Sequence, residues 1–329
     1  MGHAGRSLAL IERLLSLGHR VTIFTFADAF RLLAGTGYEP KRIEGLQFRV
    51  TSSGGVSSLG TVCNFVRYLR SSRDSFDLVR QLALAERPDL FITDFEPLTA
   101  RAAASLRICC VSVDNQHRFC EPLGAAFPLH LRTYGRMTGL FVQRWIKKPR
   151  QRIVAVFHPC PASRKFHHVD VLLRDRFTRV PPTDGDHILL YAKGMMGRRM
   201  TQVASTVPAR FIAYGCTGAA APNIEYKTAS SDEFINDLAS CRGVLCTAGQ
   251  QLMGEARYFR KPLLVVPIPQ QYEQEINARY ARIEGIGDYC SIDELTNARN
   301  LESFHKATVP SQTGNGVDQV LDLLGIGHG

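Results

Sequence analysis

In the segment "VLCTAGQQLMGEA", Thr247, Ala248 and Gly249 follow the apolar run Val244 to Cys246 and precede Gln250, where a helical pattern opens. Small residues in such a turn let backbone N–H groups approach an anion, and the dipole of the following helix adds positive potential. Glu255 falls further along that helix. A carboxylate there is placed to accept both hydroxyls of a ribose whose diphosphate rests on the helix N-terminus. A tight turn followed by a surface glutamate would be written with the same residues. The next run, "KPLLVVPIPQQYEQEINA", ends at Pro267 and then presents Gln270, Glu273 and Gln274. Amide and carboxylate groups beside a nucleotide suit the many hydroxyls of a sugar, because each donates or accepts in a fixed plane.

The elements that must hold these groups alternate between strand and helix. "RSLALIERLLSLGHR" repeats apolar residues at helical spacing, and "RVTIFTF" is a β-branched and aromatic strand pattern. A short helix around "DAFRLLAG", a strand at "LQFRV" and a Gly/Ser-rich loop "TSSGGVSSLG" come next. A helix through "FVRYLRSSRDSFDLVRQLALAE", a strand in "RPDLFITDFEP", a helix "LTARAAAS" and a strand "RICCVSVDNQH" complete the first half. After a Pro-rich stretch the plan repeats: strands "HILLYA", "ARFIAYG", "GVLCTAG" and "PLLVVPI", helices "DEFINDLASC", "QQLMGEARYF" and "QEINARYARIE". This is an α/β chain of two Rossmann-like domains with parallel sheets. The boundaries fall at 1–165 for the first domain, 166–186 for a linker and 187–329 for the second. Ligands in such sheets bind at the carboxyl ends of strands. That rule selects His3, Asp94, Glu96, Asp114, His117, Lys193, the Thr247–Glu255 turn and helix, and Gln270 to Gln274. Lys193 in "YAKGMMGRR", with Arg198, is either a diphosphate partner or an ordinary solvated cation.

Composition narrows the class. The 329 residues carry nine cysteines without a CxxC pair, which is neither a disulfide framework nor a zinc site and suits a reducing compartment. No signal peptide pattern and no long apolar run is present, so the chain reads as cytoplasmic. The net charge of +10 is uneven: the 48 residues between Glu121 and Asp170 hold no acid and nine Lys or Arg. Within them, segment 129–152 mixes cations, among them Arg144, Lys147 and Lys148, with Tyr134, Phe141 and Trp145. Cations beside aromatics on one helix suit an anionic membrane surface, while a solvated basic face over core aromatics has the same composition. A nucleic-acid role rests on charge alone and leaves the turns above unexplained.

The segment "TAGQQLMGEARYFRKPLLVVPIPQQYEQEINA" resembles the donor-binding signature of inverting GT-B glycosyltransferases. The nearest branch contains the lipid II N-acetylglucosaminyltransferase (family 28) and its uncharacterised archaeal and bacterial relatives. "DFEP" at Asp94–Pro97, "DNQH" at Asp114–His117 and "GHAGRS" extend the resemblance over both domains. The resemblance implies two facing domains. It implies that the TAG turn and Gln250 hold a nucleotide diphosphate, that Glu255 binds ribose, and that Glu273 and Gln274 reach the donor sugar. Arg260 departs from the family's glycine in G-K-P, at a helix end. The family also carries a β-strand before a G-x-G-M-G-H loop. The resemblance therefore implies that Met1 is an internal methionine, with the first strand and the loop's first glycines missing.

What the resemblance implies for chemistry is transfer of a sugar from a nucleotide-sugar, a UDP-sugar, with inversion. No metal and no resident cofactor is expected, helix N-termini stabilising the leaving diphosphate. The partners expected are that donor, a lipid-linked acceptor and the anionic inner face of the membrane. The acceptor hydroxyl must lose a proton as it attacks. His3, on a loop with Gly2, is the candidate base, or else a capping or diphosphate-binding residue. Asp94 or Asp114 serves instead as base, as the orienter of a base, or as a helix cap. His117 reads as structural or acceptor-side. Two rivals remain: a sugar-nucleotide 2-epimerase acting on the donor alone, and a truncated relative that binds nucleotide or lipid without turnover.

Overall fold

The structure, a computed structural model, describes residues 2–45, 58–146, 149–158, 160, 163–228, 231–296, 309 and 314–327, with backbone alone at 2, 3, 58–67, 69–71 and 231. The chain divides into two compact units, Met1–Arg174 with Asn315–Gly329, and Asp175–Gly314.

The first unit opens with α1 (Gly2–Ser16), β1 (Phe24–Thr25), α2 (Ala27–Ala34), β2 (Lys41–Arg42) and α3 (Ser58–Glu86). It continues through β3 (Leu90–Thr93), α4 (Pro97–Leu106), β4 (Cys109–Asp114), a 3-10 turn (Gln116–Cys120), α5 (Leu129–Trp145), β5 (Gln151–Ala155) and β6 (His167–Val169). Four strands form one parallel sheet in the order β3-β4-β5-β6, and β1 pairs in parallel with β2 alone among the described strands. The expected strand at "LQFRV" and most of the Gly/Ser loop lie outside the described residues. α1 presents Ala9, Leu10 and Leu14 to Val111, Val113 and Ile153 of the sheet. The spacing of Leu8, Ile11 and Leu15 marks a different face: Leu8 and Ile11 pack against Leu33 of α2, and Leu15 is exposed.

The second unit contains α6 (Asp175–Thr178), β7 (His187–Tyr191), α7 (Gly194–Ala204), β8 (Arg210–Tyr214), β9 (Ile224–Lys227) and α8 (Ser231–Ser240). Then follow β10 (Gly243–Cys246), α9 (Gln250–Tyr258), β11 (Leu263–Val265), α10 (Tyr272–Ile283) and β12 (Gly287–Tyr289). Its six strands are parallel and ordered β12-β11-β10-β7-β8-β9. The chain thus runs outward from β7 to one edge, then returns to β10 and runs to the other. This is the Rossmann order, with its topological switch point between β7 and β10. Ile188, Leu190, Phe211, Leu245 and Leu264 fill the core beneath.

Three sequence boundaries shift. The basic segment 129–152 is not one helix: Ile146 turns extended after Trp145, Pro149 cannot continue a helix, and Gln151 begins β5. Residues 166–174 are not linker, because β6 completes the first sheet and Val169, Val171, Leu172 and Leu173 are buried. The final helix, α11 (Gly316–Leu324), belongs to the first unit, not the second. Asn315 caps it, its Oδ1 accepting from Val317 N and Leu173 N at 3.0 Å each, and its Nδ2 donates to Leu173 O at 2.9 Å. Val317, Val320 and Leu321 then bury against Leu10 and Leu14 of α1.

Candidate functional site

At the switch point, Thr247 N donates to Tyr191 O at 3.3 Å, Gly249 N turns back to Thr247 O at 2.7 Å, and Met253 N makes the first α9 bond to Gly249 O at 3.1 Å. Ala248 is fully buried, whereas Gly249 is exposed. Gly249 has ordinary φ and ψ of −78° and 119°, and a Cβ built on it would meet nothing within 4 Å. Neither conformation nor internal packing demands a glycine there. The missing side chain leaves open space where the first amides of α9 point along the helix axis.

Behind the turn stands a residue that residue types and spacing did not select. Asn277 of α10, 1% exposed, donates from Nδ2 to Ala248 O at 2.8 Å. It fastens the turn to the helix that carries Glu273 and Gln274. The one sequence cue to it is its place three residues after Gln274, one helical turn on. Glu273 lies in the first turn of α10, where a carboxylate complements the helix dipole. Gln274 Oε1 accepts from Ile268 N at 2.9 Å, pinning the loop that presents Gln270. That residue is exposed and held at a φ of 65°, a left-handed conformation of the kind that concentrates at binding sites. Glu255 is half-buried, accepts from Gln251 Nε2 at 3.0 Å, and helps burial to raise the Tyr191 hydroxyl's pKa. Lys193 is exposed at the start of α7, on the adjoining strand end. The donor-side candidates of the second unit, Lys193, Thr247 to Gln250, Glu255, Gln270, Glu273 and Gln274, therefore all stand at the carboxyl ends of β7, β10 and β11. The groove lined by Pro208, Arg210, Pro222 and Glu225 lies at the opposite, amino ends of β8 and β9.

In the first unit, Asp94 follows β3. Its carboxylate accepts from Arg6 Nε at 3.2 Å, Arg6 Nη2 at 2.5 Å and Ser7 Oγ at 3.1 Å. Gly2 and His3 form the start of α1, and the side chain of His3 lies outside the described residues. His3 is one turn before Arg6 and Ser7 in α1. Asp94 thereby anchors the turn that bears His3. Phe95 takes a φ of 55°, unusual for an aromatic residue. Its ring packs near His117 and Trp145. Glu96 caps α4, accepting from Leu98 N and Thr99 N at 2.8 and 2.7 Å, and burial raises its pKa. The cap weighed for Asp94 thus falls to Glu96, two residues on.

Asp114 and His117 are both fully buried. Asp114 accepts from Ser112 Oγ at 2.5 Å, His117 N at 2.9 Å and His117 Nδ1 at 2.7 Å. These bonds commit both carboxylate oxygens, which suits an orienter better than a base. They also fix the His117 tautomer, leaving Nε2 as the acceptor nitrogen, without a partner among the described residues. Of the three carboxylates at these strand ends, one anchors a helix, one caps a helix and one orients a histidine.

A Rossmann-order unit with an open glycine turn at its switch point, joined to a second parallel α/β unit, defines the GT-B class of glycosyltransferases. The chain matches the family described as glycosyl transferase family 1 over residues 1–310, and it belongs to that family. An uncharacterized glycosyltransferase of Methanosarcina mazei is 24% identical over 314 residues, 87% of this chain and 82% of the relative. Among solved structures, LpCGTa in complex with UDP superposes with a TM-score of 0.63 at 17% identity, covering 99% of this chain and 96% of that one. MurG of Acinetobacter baumannii does so at 0.58 and 16%, covering 98% and 95%.

Proposed function

We propose that this glycosyltransferase moves a sugar from a UDP-sugar to an acceptor hydroxyl with inversion. The diphosphate rests on the N-terminus of α9, and the chain's own amides carry the leaving charge in place of a metal. The observation that carries the donor site is the open Gly249 turn at the switch point, held from behind by Asn277, with Glu255 in the following helix. Glu255 takes the ribose hydroxyls, and Glu273, Gln274 and Gln270 take the sugar. The structures of LpCGTa with UDP and of VinC with dTDP support a nucleoside diphosphate donor by likeness of fold, and the choice of uridine rests on the sequence resemblance.

His3 is the proposed base, anchored through Asp94. The Asp114–His117 pair favours a second reading, in which His117 Nε2 is the base and Asp114 fixes its tautomer. His3→Ala and His117→Ala decide between them, each with unfolding checked.

The acceptor side lies at a membrane. α5 exposes Leu129, Met137, Leu140 and Phe141 on the same side as Arg132, Arg136 and Arg144. Lys147 and Lys148 lie outside the described residues. An acid-free helix with an outward apolar face suits the cytoplasmic face of an anionic bilayer bearing a lipid-linked acceptor. Among the described residues, no helix is long and apolar enough to cross a membrane.

Calorimetric titration with UDP, TDP and GDP tests the donor site. UDP is expected to bind, with about 100-fold loss in Glu255→Ala, as two charge-assisted hydrogen bonds are removed. Absence of binding, or equal binding by Glu255→Ala, would refute the site. A new epimer in NMR of the UDP-sugar without acceptor would support the 2-epimerase instead.

A further inference from the structure

Away from these turns, the structure brings three metal-ligating side chains of the first unit together. Glu121 follows the 3-10 turn after β4, Cys160 lies in the loop after β5, and His168 sits on β6. One donor atom from each lies within 4.8 Å of the other two. His168 Nε2 donates to Glu121 Oε2 at 2.8 Å. On the other flank, His158 Nδ1 stands 3.6 Å from Cys160 Sγ. The three are half-buried, reachable by an ion yet largely withdrawn from water. Glu121 is also the last acid before the 48-residue acid-free stretch, so its carboxylate is placed where every other nearby charge on the segment is a cation.

We propose that Glu121, Cys160 and His168 bind a thiophilic divalent cation of the zinc class, with water in the fourth position. The donor set is one sulfur, one oxygen and one imidazole, a mixture a tetrahedral zinc ion takes with water as fourth ligand. Bond lengths of about 2.0 to 2.3 Å put tetrahedral donors about 3.3 to 3.7 Å apart. The His168–Glu121 hydrogen bond at 2.8 Å opens slightly to reach that spacing, and Cys160, within 4.8 Å of both, closes by at most about 1 Å. Binding releases the Cys160 thiol proton. The neutral His168 ring turns its Nε2 lone pair to the ion as its proton passes through solvent from Nε2 to Nδ1, so thiolate and carboxylate together neutralise the dication. Because Glu121 closes the turn that carries His117, the ion ties that turn to β5 and β6.

The test is titration of the metal-stripped full chain with zinc, in competition with a chromophoric chelator, and with cobalt followed by absorption. One zinc per chain is expected, with affinity falling about 100-fold in Cys160→Ser and His168→Gln and about 10-fold in Glu121→Gln. Cobalt should give a thiolate charge-transfer band that persists in Cys216→Ser and vanishes in Cys160→Ser. The wild-type cobalt band needs no variant to fold: its absence overturns the proposal. So does zinc uptake that is unchanged in Cys160→Ser and His168→Gln.

Discussion

Replacing Asp94 by Asn, Arg6 by Met, and both together asks whether the pair works as a clamp on α1. The Arg6 and Asp94 side chains are 6% and 15% exposed, so solvent screening is slight. Two charge-assisted contacts join them, at 3.2 and 2.5 Å. Removing one partner of such a pair costs about 3 to 5 kcal/mol, because the other is left buried. We take about 3 kcal/mol for each single substitution, the lower end, since Ser7 still donates to the residue at 94. In a unit of this size that lowers Tm by about 6 to 12 °C. The double variant should be hardly worse than either single one, giving a coupling energy of about 2 to 3 kcal/mol. Thermal unfolding of the four proteins reads this directly. Turnover, followed by nucleotide release, should fall alike in both single variants, because each frees the helix turn bearing His3. Additive losses, with coupling below about 0.5 kcal/mol, would refute the clamp. Full turnover in Arg6→Met with none in Asp94→Asn would make Asp94 itself the reacting carboxylate.

Four further outcomes follow from the geometry. Arg260 sits at a φ of 56° after α9, so Arg260→Gly should stabilise by about 1 kcal/mol and leave nucleotide affinity unchanged; a lower Tm would contradict this. Asn277→Ala strands the buried Ala248 carbonyl and should cost about 1 to 3 kcal/mol, with UDP affinity down about tenfold by calorimetry. Neutralising Arg132, Arg136 and Arg144 to Gln should weaken co-sedimentation with anionic vesicles by about 100-fold, at about 1 kcal/mol per cation; unchanged binding would remove the membrane reading of α5. Burial pushes the Cys110, Cys241 and Cys246 thiols up to about 12. At pH 8 only about one in ten thousand is thiolate, so they should resist a thiol reagent until the chain unfolds, and their modification rate should rise with pH.

Much of the second unit was legible because its signals are local. The Val244–Cys246 and Leu263–Val265 runs, the TAG turn between them and the amide-rich turn beyond lie within a few dozen residues. Each is written in the residue types the backbone needs. The first unit was less legible. His168 and Val169 read as linker because prolines flank a strand of three residues whose partners lie far away in sequence. The acidic residues after strands were found by position, yet their division of labour depends on contacts 2 to 88 residues apart, which position after a strand does not distinguish. Asp94 could not reveal Arg6 as its partner, nor Asp114 its choice of His117. The Glu121–Cys160–His168 group has no motif spacing and exists only once β4, β5 and β6 are paired.

The return of α11 to the first unit has a consequence for synthesis. A ribosome delivers residues 175–314 before it delivers the helix that seals the earlier unit. Until then the patch on α1 that receives Val317, Val320 and Leu321 is an open apolar surface on a nascent protein. The middle of the chain can therefore finish folding first, while its beginning waits for its end. Chaperone binding during translation should concentrate on that interval, and a nonsense mutation near residue 314 should injure the portion of the protein made first.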